Sequence, residues 1–389
     1  MPKKNRKKGK GWKDKLAEKR IKYQRVLEAH RLKIEKRLAE KKSQKRLKSV
    51  IISVICLFVL IPGIYAAWQY VRSPGGKSQE QGNVQQQTPE APSTVIYIWP
   101  DGRVEPSTAP IIKVGEGFYL LKGNVSLPIV VLRDNIVIDG AGLYLLGENV
   151  VGSRGVDISY RKNVTVMNLK VQGFDYGVYL QLTVNTTISN CELTKNYCGV
   201  WVSNSTQNQI TSSSFTKNNY AVWLKGSSNN LVNSNIFTQS NYTLYMGFSN
   251  NNTVKANVII NNRIGLFLYT SSNNLISMNN VSKNYEGIHM LQSSYNLITL
   301  NNIIENDIGL GSNESFNNTI CLNNFIDNVA NVNVQNSTEI WDDGVSKGNY
   351  WSDFKDKYPQ AVEQGEIWNM PYIIDERNKD RYPLTRKIA

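Results

Sequence analysis

A strict 22-residue period runs through the middle of this chain. Gly155, Gly177, Gly199, Ala221, Thr243, Gly265, Gly287, Gly309 and Asn331 fall 22 apart, with no insertion or deletion between them. A repeat of this length marks stacked supersecondary units, none of which can bury its apolar face alone. No other feature of the sequence restricts the fold as tightly.

Read column by column, each repeat carries three apolar stations. One column is Val166, Ile188, Ile210, Val232, Val254, Ile276, Ile298 and Ile320. A second is Val171, Leu193, Phe215, Phe237, Ile259, Val281, Ile303 and Phe325, and a third is Val178, Val200, Val222, Leu244, Leu266, Ile288, Leu310 and Val332. Turn-forming Asn, Ser and Gly separate the stations, so each repeat reads as three short strands. A helical repeat would need contiguous stretches of 3.6 period, and β-branched residues and Asn at this density oppose helix. The expected fold is all-β: a right-handed, single-stranded parallel β-helix of 22-residue coils over residues 155–337. At about 4.8 Å per coil, about nine coils span roughly 40 Å.

Asparagine forms columns of its own. Asn235, Asn257, Asn279, Asn301 and Asn323 recur in one, and Asn196, Asn218, Asn262, Asn284, Asn306 and Asn328 in another, with Ser240 in the gap. A stacked amide donates to one neighbouring coil and accepts from the other, and Asn tolerates the left-handed backbone of tight corners. Both columns therefore read as structural rather than as a polar binding surface.

Outside the repeat, charge is partitioned. Residues 1–49 hold 21 Lys+Arg and 5 Asp+Glu, a net of +16, which leaves −2 of the overall +14 for the rest. The basic footprint that nucleic-acid binding requires is thus absent from the body of the chain. Residues 1–49 read as a basic, largely helical cytoplasmic tail containing His30. The stretch Val50–Val71 has no charged residue and is long enough to span the roughly 30 Å hydrocarbon layer. The Lys/Arg excess ahead of it orients the N-terminus to the cytoplasm, so the expected location is a single-pass cell-membrane anchor with the bulk of the chain outside. A cleaved signal peptide is the rival reading, with an unusually long basic region. Residues 72–94 are a Gly/Gln/Pro/Ser linker, 95–154 an N-terminal β cap with first coils, and 338–389 a C-terminal cap.

The passages NIVIDGAG, KNVTVMNL and SSNNLISMNNVSKNYEGIHM, then WDDGVSKGNYWSDF and PYIIDERNKDRYPL, resemble the NosD-like, carbohydrate-binding and sugar-hydrolase repeat family over residues 95–389. The resemblance implies a right-handed β-helix at a cell surface. Its name-giving member helps mature a copper enzyme, so an accessory role for a membrane-bound metalloenzyme is one implied function. At AVEQGEIWNM the chain departs from the acidic, Gly-rich stretch common in this subfamily, leaving only Glu363 and Glu366 there.

Candidate chemistry is sparse. Glycoside hydrolysis needs two carboxylates facing one groove. Glu286 and Asp307, in adjacent columns of neighbouring coils, with Glu305 close by, are the best candidates for a hydrolase or lyase. Asp342, Asp343, Asp353 and Asp356 are the oxygen-rich set a metal would use, against a plain cap built on Trp341, Tyr350, Trp351 and Phe354. His289 and Met290 face opposite sides of a strand, which disfavours copper. No catalytic residue and no cofactor is assigned. Cys191 and Cys198 share a coil, as one disulfide or as buried thiols, and ten Asn-x-Ser/Thr sequons leave glycosylation open.

One column is not explained by folding alone. Tyr179, Trp201, Trp223, Tyr245 and Phe267, followed by His289, alternate with apolar stations and so point outward. They are expected to form an exposed aromatic strip, with Tyr269 at its flank, suited to the C–H faces of a glycan. The alternative is that the rings stack on one another or lie beneath the C-terminal segment. The expected function is a binding or structural surface protein, with polysaccharide or cell-surface glycan as the favoured ligand.

Overall fold

The computed structural model describes residues 94–388. The basic tail, the Val50–Val71 span and nearly all of the linker lie outside the described residues, and no described helix is long and apolar enough to cross a membrane.

Each 22-residue unit is one turn of a parallel β-helix with three sides. A strand of six residues, such as Cys198–Ser203, starts the turn, and strands of three, such as Gln209–Thr211 and Ser214–Thr216, follow it. Stacking the turns makes three sheets, in which Val200 pairs with Val222, Ile210 with Val232, and Phe215 with Phe237. The first sheet holds 12 strands, one of which, Val104–Glu105, is an antiparallel hairpin partner of Ile96–Ile98. Its other eleven run parallel from Ile96–Ile98 to Ala330–Gln335, so the helix has more turns than the strict period predicts. Upstream of Gly155 the coils are there, but insertions hide them: Ile96 pairs with Ile129 and Ile129 with Val156, steps of 33 and 27 residues.

All three predicted apolar columns point inward, with Ile188, Leu193 and Val200 fully buried. A fourth column, Leu180, Val202, Leu224, Met246, Leu268 and Met290, is equally buried. From Tyr176–Gln181 onward the first sheet's strands are six residues long and send two side chains inward, whereas the three-residue strands of the other two sheets send one. Each fully buried aliphatic contributes on the order of 2 kcal/mol of transfer free energy.

The asparagine ladders form as expected and number three rather than two. In one, Asn279 Nδ2 donates to Asn301 Oδ1 at 3.0 Å and to Val254 O at 3.0 Å, while Asn279 Oδ1 accepts the Asn257 backbone N–H at 3.0 Å. The second runs through Asn262, Asn284 and Asn306 with the same pattern. The third, Asn208, Asn230, Asn252, Asn274, Asn296 and Asn318, fills the corner between the six-residue strand and the next. The left-handed corner residue is not the ladder asparagine but the residue just before it, for example Met278 (φ 55°), Leu300 (φ 58°) and Lys283 (φ 55°). Such side chains tolerate the left-handed well only at a cost of about 1–2 kcal/mol. The ladder amide on the following residue holds the corner in place, and the left-handed positions vary in sequence more than the ladder positions, where Ser213 and Ser240 stand in for Asn.

The C-terminal segment closes the last coil. Trp351 stacks on the core ring Phe325, with centroids 4.4 Å apart, and Tyr372 stacks on the other face of Trp351 at 4.1 Å. A short helix, α1 (Phe354–Lys357), buries Phe354 beside them. The two passages that carry the family resemblance at this end bond to one another. Trp341 Nε1 donates to Asn378 Oδ1, Arg381 holds Asp342, and Asp380 accepts the Asn349 backbone N–H and Trp351 Nε1.

Candidate functional site

The outward face of the first sheet carries the predicted ring column, in register: Tyr179 pairs with Trp201, Trp201 with Trp223, Trp223 with Tyr245, Tyr245 with Phe267, and Phe267 with His289. Alternation along the strand sets its direction, because Val200 and Val202 on either side of Trp201 are both fully buried. The expected openness of the strip is corrected. Trp201 is only 9% exposed, and the other members are half-buried.

The reason is a second outward column three residues earlier on each strand. Tyr176, Tyr220 and Tyr242 pack against the first column, with Tyr220 and Trp223 centroids 4.5 Å apart and Tyr220 stacked on Tyr242 at 5.0 Å. Trp201 meets Trp223 edge-on at 4.5 Å. The Arg154 guanidinium lies 3.7 Å from the Tyr179 ring centre, and Lys225 Nζ approaches Trp201 at 5.6 Å. The result is a packed aromatic platform two rings wide rather than a row of free rings. Burial pushes the Tyr176 and Tyr245 hydroxyls up and the Tyr220 hydroxyl up to about 12, so the platform stays neutral. Sequence reading missed the second column because its period is masked by Cys198 and by Ile264.

The platform is not what the fold demands of an outward face. The second sheet turns out Thr187, Ser189, Gln209, Thr211, Thr253 and Lys255, and it forms the same ladder of strands. The indole N–H groups of Trp201 and Trp223 are moreover buried without a hydrogen-bond partner. Each such group costs about 1–3 kcal/mol.

The candidate carboxylates occupy three different environments. Glu286 is 8% exposed and its Oε1 lies 2.7 Å from His289 Nδ1. Glu305 is exposed and faces Lys283 Nζ at 3.5 Å, and Asp307 is exposed in the turn ahead of its strand. Two of the three are thus each engaged by a basic side chain, Glu286 by His289 and Glu305 by Lys283. Of the candidate metal ligands, Asp342 is held by Arg381, with Oδ1 at 2.5 Å from Nη2, and these bonds keep its carboxyl below the usual range despite burial. Asp343 accepts the backbone N–H groups of Val345, Ser346 and Lys347. Asp353 accepts from Asn331 and Tyr372, and Asp356 lies exposed in the first turn of α1. The structure gives the first three cap partners instead of a common centre. Cys191 and Cys198 are separate buried thiols, with burial raising Cys191 to about 11.

Fold and face together define a capped parallel β-helix with one aromatic side. The chain belongs to the NosD family of right-handed β-helix repeat proteins, described as periplasmic copper-binding, whose family profile matches residues 119–245 and 156–356. No curated protein matches the chain. Similar solved structures include a mutant of the periplasmic alginate epimerase AlgG, at 16% identity, with 56% of this chain and 64% of that chain covered and a TM-score of 0.40. The enzymatically active domain of tailspike protein 2 of bacteriophage CBA120 is similar at 13% identity, with 52% and 38% covered and a TM-score of 0.42. A hyperthermoactive exopolygalacturonase from Thermotoga maritima is similar at 14% identity, with 59% and 75% covered and a TM-score of 0.38. The chain spans less than two thirds of the epimerase and of the tailspike domain, and likeness of this degree transfers no activity.

Copper, which the family description implies, finds no matching donor set here. Copper sites use clustered imidazole, thiolate and thioether ligands. His289 is the only histidine among the described residues and its Nδ1 is engaged by Glu286, while Met246 and Met290 are fully buried in the core. No group of three or more His, Cys, Asp or Glu among the described residues is arranged to hold a metal ion.

Proposed function

We propose that this chain is a membrane-anchored, extracytoplasmic β-helix protein that binds glycan along the aromatic platform of its first sheet. The observation that carries the reading is that the platform occupies one outward face only, from Tyr176 to Phe267, at a polar-burial cost the fold does not require. Ring faces and edges suit the C–H surfaces of sugars, and Arg154, Lys225 and Gln181 at the margin supply hydrogen-bond donors and acceptors. An extracytoplasmic location is supported by the family's periplasmic description, and the anchor by the uncharged Val50–Val71 stretch.

The test is a glycan array probed with the full chain and with the Trp201→Ala, Trp223→Ala double variant. Binding by the parent and its loss in the variant, at a retained unfolding transition, is expected. Equal binding by both would remove the platform from the function.

A further inference from the structure

At the coil after Phe267 the platform changes character. Glu286 stands in the column of Tyr242 and Ile264 with Ile308 as its next neighbour, and His289 stands in the ring column with Gly311 as its next neighbour. An ionisable pair is thus set into a face whose flanking positions are apolar. The Glu286 and His289 side chains are 10% and 17% exposed and meet at 2.7 Å. Burying such a pair opposes folding unless its geometry is excellent, and an isoleucine, as at 264 or 308, would serve the sheet at least as well.

Gly311 makes the arrangement possible. Its backbone lies outside the left-handed region, so conformation does not call for glycine there. Space does: a Cβ at this position would fall on Glu286 Oε1 and come within 3.1 Å of His289 Nδ1. The ring column therefore ends in a step, where the imidazole packs against Phe267 (centroids 5.0 Å apart) on one side and the Glu286 carboxylate fills the space over Gly311 on the other.

Resting on the glycan reading above, we propose that Glu286, His289 and Gly311 form the polar end of the platform, a subsite for a neutral sugar residue. The sugar's C–H face lies along the ring column and its hydroxyls meet the imidazole where that column ends. Glu286 fixes the imidazole by its Nδ1 edge, and this leaves Nε2 for a ligand hydroxyl. The Glu286 carboxylate, with the exposed Asp307 in the preceding turn of the next coil, opposes an anionic sugar at this end. The platform is thereby directional: apolar from Tyr179 to Phe267 and hydrogen-bonding beyond.

Isothermal titration of the full chain with cello-, xylo- and chito-oligosaccharides, and with oligogalacturonate and oligoalginate, tests this. The expected result is binding of at least one neutral series, with both anionic series at least tenfold weaker. Glu286→Gln, His289→Gln and Gly311→Ser should each lower the neutral-series affinity at least tenfold. His289→Gln carries the test if Gly311→Ser fails to fold. Unchanged affinity in Glu286→Gln and His289→Gln, while the Trp201→Ala, Trp223→Ala variant loses binding, would overturn the subsite and leave the platform standing. Anionic oligomers that bind as tightly as neutral ones would also overturn it. Absence of binding by the parent chain to every oligosaccharide would overturn the platform and the subsite together.

Discussion

Asn279→Ala puts the ladder argument to a quantitative test. Asn279 is 1% exposed and stands in mid-ladder. Truncation removes its Nδ2 bonds to Val254 O (3.0 Å) and Asn301 Oδ1 (3.0 Å), and the acceptor used by the Asn257 backbone N–H (3.0 Å) and Nδ2 (2.9 Å). Two backbone groups, Asn257 N–H and Val254 C=O, lose these partners in a water-free interior, and the amide of Asn257 loses one of two. At about 1–3 kcal/mol for each orphaned group, the expected loss is about 4 kcal/mol. Urea unfolding of the full chain, followed by far-ultraviolet circular dichroism, measures it against Gln209→Ala, an exposed strand position expected to change stability by under about 0.5 kcal/mol. The reciprocal change is Ser240→Asn, at the one serine inside the ladder of Asn218 and Asn262, where the hydroxyl reaches only Thr238 O at 3.4 Å. Restoring the amide should stabilise by about 1 kcal/mol. If Asn279→Ala costs no more than Gln209→Ala, the ladders are ornamental and stability lies in the apolar columns alone.

Trp351→Ala should cost about 3–5 kcal/mol, because the ring is fully buried between Phe325 and Tyr372; hydrogen exchange should then rise first in the Asn324–Ile326 strand. Asp380, buried at the end of the Asn323–Asn349 ladder, has its carboxyl raised to about 7 from 3.8, with desolvation as the main cause. A raised acid binds its proton more tightly in the folded state, so this contribution is complete below about pH 4 and is lost as pH rises through about 7. Thermal unfolding should show the loss, up to about 4 kcal/mol, and a pH-independent Asp380→Asn difference between pH 5 and 8 would refute it. Cys191 and Cys198, buried with raised thiol pKa values, should stay unmodified by iodoacetamide at pH 8 until the chain unfolds, as peptide mapping reads out.

Much of the site was legible in the sequence only as a direction. Alternation places Trp201 outward because Val200 and Val202 must point inward, and that inference holds. Exposure is different, since it depends on what stands beside a residue across the sheet. Tyr220 and Tyr242 cover the ring column from a neighbouring column that Cys198 and Ile264 interrupt. Likewise, Glu286 and Asp307 are close by column arithmetic, yet Glu286 turns to His289 on its own strand because Gly311 leaves room for it.

The sequence by itself determined the coil. A period of 22 with an apolar residue at each station can be satisfied only by stacking, and stacking in register puts asparagine over asparagine. Tertiary structure decided where the period is obscured: the coils before Gly155, whose insertions leave the strand pairing intact while shifting the count. It also decided the fate of the acidic C-terminal motif. Asp342, Asp343, Asp353 and Asp356 read as an oxygen-rich set along the chain, and Asp342 and Asp353 become cap acceptors once Arg381 and Tyr372 are brought to them. Periodicity is a local property that a sequence displays directly, whereas the partner of a charge is set by chain segments whose separation in sequence carries no period.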